Sequence, residues 1–156
     1  MTSQLPSFPR TVFTVIEPLS LIGGCVAPLI NADWFIASQI DNPLHIASSD
    51  NDRLVALQLG NCYGLLCLVG VAVLSTTTEF KVVRSYLIAL LIADITHVGL
   101  TCWALGYKRS IDVGSWNATT WGNVGFTIFL GLTRTATLLG LFGSGSRTVT
   151  ALKKDL

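Results

Sequence analysis

The sequence predicts an all-α integral membrane protein, a bundle of four antiparallel helices with both termini in the cytosol. Of its 156 residues, 51% are hydrophobic and 12% charged, well below the roughly one-quarter charged make-up of soluble domains, and the mean hydropathy is +0.61. Apolar stretches at about 11–30, 54–75, 85–106 and 121–142 each approach the roughly 20 residues that a helix needs to cross the hydrocarbon. Arg10, Lys81, Arg84, Arg147, Lys153 and Lys154 fall on one side of four crossings, against Arg53, Lys108 and Arg109 on the other. The positive-inside rule assigns the first side to the cytosol.

The chain reads as a single transmembrane domain, 1–156, without internal repeats. Its first stretch follows Pro6, Pro9 and Arg10, contains Glu17 and Pro18, and lacks a small-residue cleavage site. It is therefore expected to be a retained helix and not a signal peptide. Residues 31–53 carry Asn31, Asp33, Asn42-Pro43 and Ser49-Asp50, the chemistry of turns and caps, and predict an irregular polar cap. The link from Thr76 to Arg84 is short enough to make the second and third helices antiparallel neighbours. Gly60 with Gly64, and Gly122 with Gly125, have the spacing of a close-packed helix seam in lipid.

Trp34, Phe35, Trp103, Tyr107, Trp116 and Trp121 flank the stretches, where rings anchor at the membrane interface. Cys25, Cys62, Cys67 and Cys102 form no CxxC pair and read as packing residues. No metal site or cofactor is expected, and a formal net charge of +1 with no long basic run excludes an electrostatic footprint for nucleic acid. Oligomeric state is left open. The Lys153-Lys154 tail resembles a dilysine retrieval signal and points to the endoplasmic reticulum.

Glu17, Asp94 and Arg134 lie inside three of the apolar stretches. An ionisable side chain at bilayer depth costs at least ~2.5 kcal/mol, so it turns to a protein interior or a wet cavity. Counting ~1.5 Å per residue puts Glu17 about 9 Å deep and Asp94 and Arg134 about 12 Å deep, within one layer. His97 shares a helical face with Asp94. Gln58 with Asn61, and Asn123 with Thr127 and Arg134, extend polar faces on the second and fourth helices. The expected site has Asp94, His97, Glu17 and Arg134 as catalytic groups and Gln58, Asn61, Tyr63, Trp103, Trp121 and Asn123 as substrate contacts.

The available chemistry is proton transfer: one acid protonates an alkene or epoxide, His97 removes a proton from the cation, and aromatic rings shelter the charge. Ser-His-Asp elbows and phosphate-cradling glycine loops are missing.

The runs Phe13-Thr14-Val15-Ile16-Glu17-Pro18-Leu19-Ser20, Gln58-Leu59-Gly60-Asn61, Thr77-Thr78-Glu79, Asp94-Ile95-Thr96-His97, Trp121-Gly122-Asn123 and Thr133-Arg134 resemble a family of small fungal integral membrane proteins catalogued as a domain of unknown function. The resemblance implies a four-helix membrane fold and supplies no activity. In architecture alone the chain is also similar to membrane meroterpenoid cyclases and to the sterol-isomerase and sigma-2-receptor group. The leading expectation is a membrane cyclase or isomerase acting on a lipophilic terpenoid or polyketide-derived substrate. The alternatives are a non-catalytic lipid- or sterol-binding protein or chaperone, and a glutathione-using membrane transferase. Its partners would be that lipophilic small molecule and membrane lipid.

Overall fold

The computed structural model describes residues 5–40 and 48–143, and among these the chain is helical with no strand. Three helices are long and apolar enough to cross a membrane: α1, Ser7–Ile30, α3, Asp50–Thr76, and α4, Phe80–Leu105. A short helix α2, Ala32–Ala37, follows α1, and α5, Tyr107–Ile111, follows α4. The last helix, α6, runs over 118–138. It carries Asn123, Thr127, Thr133, Arg134, Thr135 and Thr137 and stands outside the three apolar spans. The retrieval-like tail and Arg147 lie outside the described residues.

Caps and glycines set the helix ends. Ser49 and Asp52 form a reciprocal capping box at the start of α3, which satisfies amide donors that have no partner inside the helix. The helix therefore begins four residues before its apolar stretch. Asn117 caps α6, accepting from the Thr120 amide at 2.8 Å. At the other end, Gly140 adopts φ +72°, and the Leu141 amide donates back to the Ala136 carbonyl at 2.9 Å. Such a left-handed glycine closes a helix, so α6 stops at Leu138 and not at 142. The expected irregular cap is helical over Ala32–Ala37 because Asn31 accepts from the Trp34 amide at 2.9 Å, and residues 41–47 lie outside the described chain.

Two turns widen to π geometry, Val12–Ile16 in α1 and Trp121–Phe126 in α6. The first precedes Pro18, whose ring displaces the carbonyl one turn back and offers it no N–H. A π-turn absorbs that mismatch locally.

The helices associate as two close pairs, α1 with α3 and α4 with α6. In lipid, apolar surface gives helices no reason to prefer each other, so close packing of small residues drives association. A Cβ on Gly60 would meet the Pro28 ring at 2.7 Å and the Cys25 carbonyl at 3.0 Å, and one on Gly64 would meet the Cys25 sulfur at 3.0 Å. The seam read from Gly60 and Gly64 is thus the α1–α3 contact. Gly125, by contrast, is covered by the Trp121 ring of its own helix, 2.5 Å from a Cβ placed there. The short link after Thr76 does not make α3 and α4 a close pair. Tyr86 of α4 spans the gap, its hydroxyl 2.7 Å from a Cβ placed on Gly70.

Leu5, Val12, Phe13, Leu74, Val83, Leu87 and Leu130 form a buried core where the start of α1, the end of α3 and the start of α4 meet α6. Away from this core the two pairs separate, and a cavity opens between them.

Candidate functional site

Arg134 is the largest fully buried side chain among the described residues, at 0% exposure. One terminal nitrogen donates to Oδ2 of Asp94 and the other to Oε1 of Glu17. Its guanidinium carbon lies 5.3 Å from the centre of the Phe13 ring, and its Nε has no partner among the described residues. One cation on α6 thereby ties two acids on α1 and α4, joining the two helix pairs. The second pairing matters energetically. Two carboxylates held by one guanidinium carry an excess negative charge in a medium that solvates it poorly, and a single proton makes the cluster neutral.

The acids face a cavity of about 400 Å³. Glu17, Tyr63, Asp94, His97 and Asn123 all line it, together with Ser20, Tyr86 and Thr127. Leu21, Leu66, Leu90, Phe126 and Leu130 supply much of the remaining wall. Arg134 stands behind the wall, gripping the acids from outside the cavity. The three-residue spacing from Asp94 to His97 puts both on the cavity face of α4, as expected. His97 faces the backbone of Asn123, within the π-turn of α6, where the altered backbone pairing re-aims carbonyl groups.

At the end away from the triad, α2 and the start of α6 close over the cavity. Asn117 Nδ2 donates to the Ser38 carbonyl at 3.0 Å, Thr119 Oγ1 to Ser38 Oγ at 3.0 Å, and Asn123 Nδ2 to Gln39 Oε1 at 3.0 Å. Just outside, Arg53 holds Asp33 through both carboxylate oxygens at 2.8 and 3.1 Å. That hydrogen-bonded guanidinium keeps the exposed Asp33 carboxyl below its ordinary value. Since Asn117 is engaged through both amide atoms, the Asn117-Ala118-Thr119 sequon is tied into the fold.

Four expected substrate contacts sit elsewhere. Gln58 and Asn61 are exposed on the outer face of α3, because the glycines between and beside them take the face toward α1. Trp103 is 82% exposed and Trp121 49% exposed. Trp121 packs edge-on against Trp116 with ring centres 5.1 Å apart. None of the four lines the cavity.

Trp34 and Phe35, expected as interface anchors, do line it, since the Asn31 cap folds α2 back over the cavity mouth. Tyr86 was not anticipated either. Its signal was present: residues 86, 90, 93, 94 and 97 follow the spacing of one helical face.

Fold and site together define a helical protein with three bilayer-length apolar helices and an Arg-bridged acid pair at one end of a largely apolar cavity. The chain belongs to the family described as Domain of unknown function (DUF7704), whose model it matches over residues 2–144. No curated protein and no solved structure matches it.

Proposed function

We propose that the protein is a membrane-embedded cyclase or isomerase that acts on a lipophilic terpenoid or polyketide-derived substrate by proton transfer. The observation that carries this reading is the convergence of Asp94, Glu17 and His97 on one apolar cavity, with Arg134 fixed behind the two acids. In this reading Asp94, bound to Arg134 through Oδ2, donates a proton from its other oxygen to an alkene or epoxide. A carbocation forms and closes onto a second double bond or shifts. His97 then removes a proton to leave a neutral product, and returning that proton to Asp94 completes the cycle without an external oxidant or reductant. Glu17 stays ionised against Arg134 and stabilises the cation, as do the faces of Tyr63 and Tyr86.

In the same proposal α6 is a fourth crossing, the four long helices alternate in direction, and both termini are cytosolic in the endoplasmic reticulum membrane. The Lys/Arg distribution supports that orientation.

The test is co-expression with lipophilic polyene and epoxide precursors in a heterologous host, followed by product analysis. Asp94→Asn keeps the side-chain volume and removes the exchangeable acid proton. It should abolish product formation while the protein remains extractable and monodisperse. Full product formation by Asp94→Asn would end the proton-donor role.

The second reading, a non-catalytic lipid- or sterol-binding protein, is favoured by the apolar wall and by the engagement of both acids with Arg134. Unchanged lipid retention in Asp94→Asn, with no product from the wild type, would select it. A glutathione-using transferase is less well supported, since the cation best placed to bind the tripeptide's carboxylates, Arg134, is already paired with Glu17 and Asp94.

A further inference from the structure

Gln58 and Asn61 sit on a membrane-length helix and face outward. Toward the rest of the bundle, helix α3 presents Ala56, Gly60, Tyr63, Cys67, Gly70 and Leu74, a run spaced by four and three residues alternately, all of it buried or half-buried. Two residues out of phase, and so about 200° around the helix, runs a second stripe of the same spacing: Leu54, Gln58, Asn61, Leu65, Leu68 and Ala72. Every one of these is exposed. Alternating steps of three and four over several turns are the seam of a coiled coil, in which a polar residue at a seam position fixes register and partner number.

The position of the two carboxamides along the helix makes their exposure costly. Arg53 is the last charged residue of α3 before the apolar run, and counting from it places Gln58 roughly 8 Å and Asn61 roughly 12 Å into the helix. Their side chains are too short to reach the interface from there. Neither has a hydrogen-bond partner among the described residues, and hydrocarbon offers none.

We infer that this stripe is the interface of a homodimer in the membrane, with α3 of one copy packed along α3 of a second. The occupant follows from the chemistry of the carboxamide, which carries both a donor and an acceptor and so complements itself. Two copies inserted in the same orientation are related by a two-fold axis along the membrane normal, which sets α3 parallel to its counterpart. Gln58 then meets Gln58 of the second copy, and Asn61 meets Asn61, as an isologous contact requires. Interhelical amide pairs of this kind hold helices together in lipid. The inference is independent of what the cavity binds, because no residue of the stripe lines the cavity.

The test uses the full chain in native membranes, with Cys62→Ser and Cys102→Ser as background. Leu65→Cys, on the stripe, should form a covalent dimer on mild oxidation. Ile95→Cys, exposed on α4, should not. Adding Gln58→Leu and Asn61→Leu together should raise the dissociation constant of the dimer by at least about tenfold, read by single-molecule photobleaching in lipid bilayers. The same exposed substitutions should leave the monomer folded, read from an unchanged helical spectrum. A wild type that is monomeric at every density overturns the inference. So does equal cross-linking from Ile95→Cys, or a double leucine variant that dimerises as well as the wild type.

Discussion

The two ends of the cavity are held by different forces. At one end Arg134, itself fully buried, grips Glu17 and Asp94, whose side chains keep 11% and 13% exposure on the cavity side. At the other, Asn117, Thr119 and Asn123 reach Ser38 and Gln39 through neutral hydrogen bonds, with the Asp33–Arg53 pair exposed beside them. A neutral hydrogen bond near water exchanges one partner for another at small net cost. A buried ion that loses its counter-charge has no such exchange available. The triad end is therefore expected to hold, and the Ser38–Asn117 end to be the first to yield.

The largest expected effect lies at the triad. Arg134→Leu leaves two carboxylates facing each other without a cation, a loss of ~3–5 kcal/mol by analogy with broken buried pairs. It should appear as aggregation on size-exclusion chromatography and a collapse of the thermal transition. A variant that melts within a few degrees of wild type would show that the cluster is solvated through the cavity, and the contrast between the ends would dissolve.

Asn117→Ala is the matching test at the opposite end. It removes the cap of α6 and the link to Ser38, at a cost of about 1–2 kcal/mol. It should lower the melting temperature modestly while raising the rate at which a cavity probe exchanges. Faster exchange with little loss of stability would sharpen the comparison by showing which end opens.

The smallest effect belongs to Asp33→Asn. Because Arg53 lowers the folded-state value of Asp33 below the ordinary aspartate value of 3.8, its contribution is fully present above that pH and fades as pH falls through the lower folded value. Melting curves should separate wild type from Asp33→Asn only slightly at pH 7 and not at all once the carboxyl is protonated. A larger shift than that of Asn117→Ala would mean that the exposed pair, and not the neutral latch, closes the cavity.

Much of this was written in the composition. Hydrocarbon cannot solvate Glu17, Asp94 or Arg134, so three ionisable residues in separate apolar stretches had to find each other, and counting residues along the helices put them in one layer. The spacing from Asp94 to His97 settled their common face, because both belong to one continuous helix. Helix ends were less legible, since the Ser49–Asp52 box and Gly140 act through backbone donors and dihedral angles that hydropathy does not register.

What the sequence could not decide was the rotation of α3. Its two stripes, one through Gly60 and Tyr63 and the other through Gln58 and Asn61, have the same period, and polarity argued for turning the carboxamides inward. The tertiary structure turned the glycines inward instead, because a helix gains contact in lipid only where backbones approach closely. A Cβ at Gly60, only 2.7 Å from the Pro28 ring, marks how close that approach is. Likewise, only the folded chain brings Trp34 and Phe35 to the cavity. Their place depends on how α2 turns back after Asn31 and meets α6, a contact between segments about 80 residues apart in sequence that no local pattern encodes.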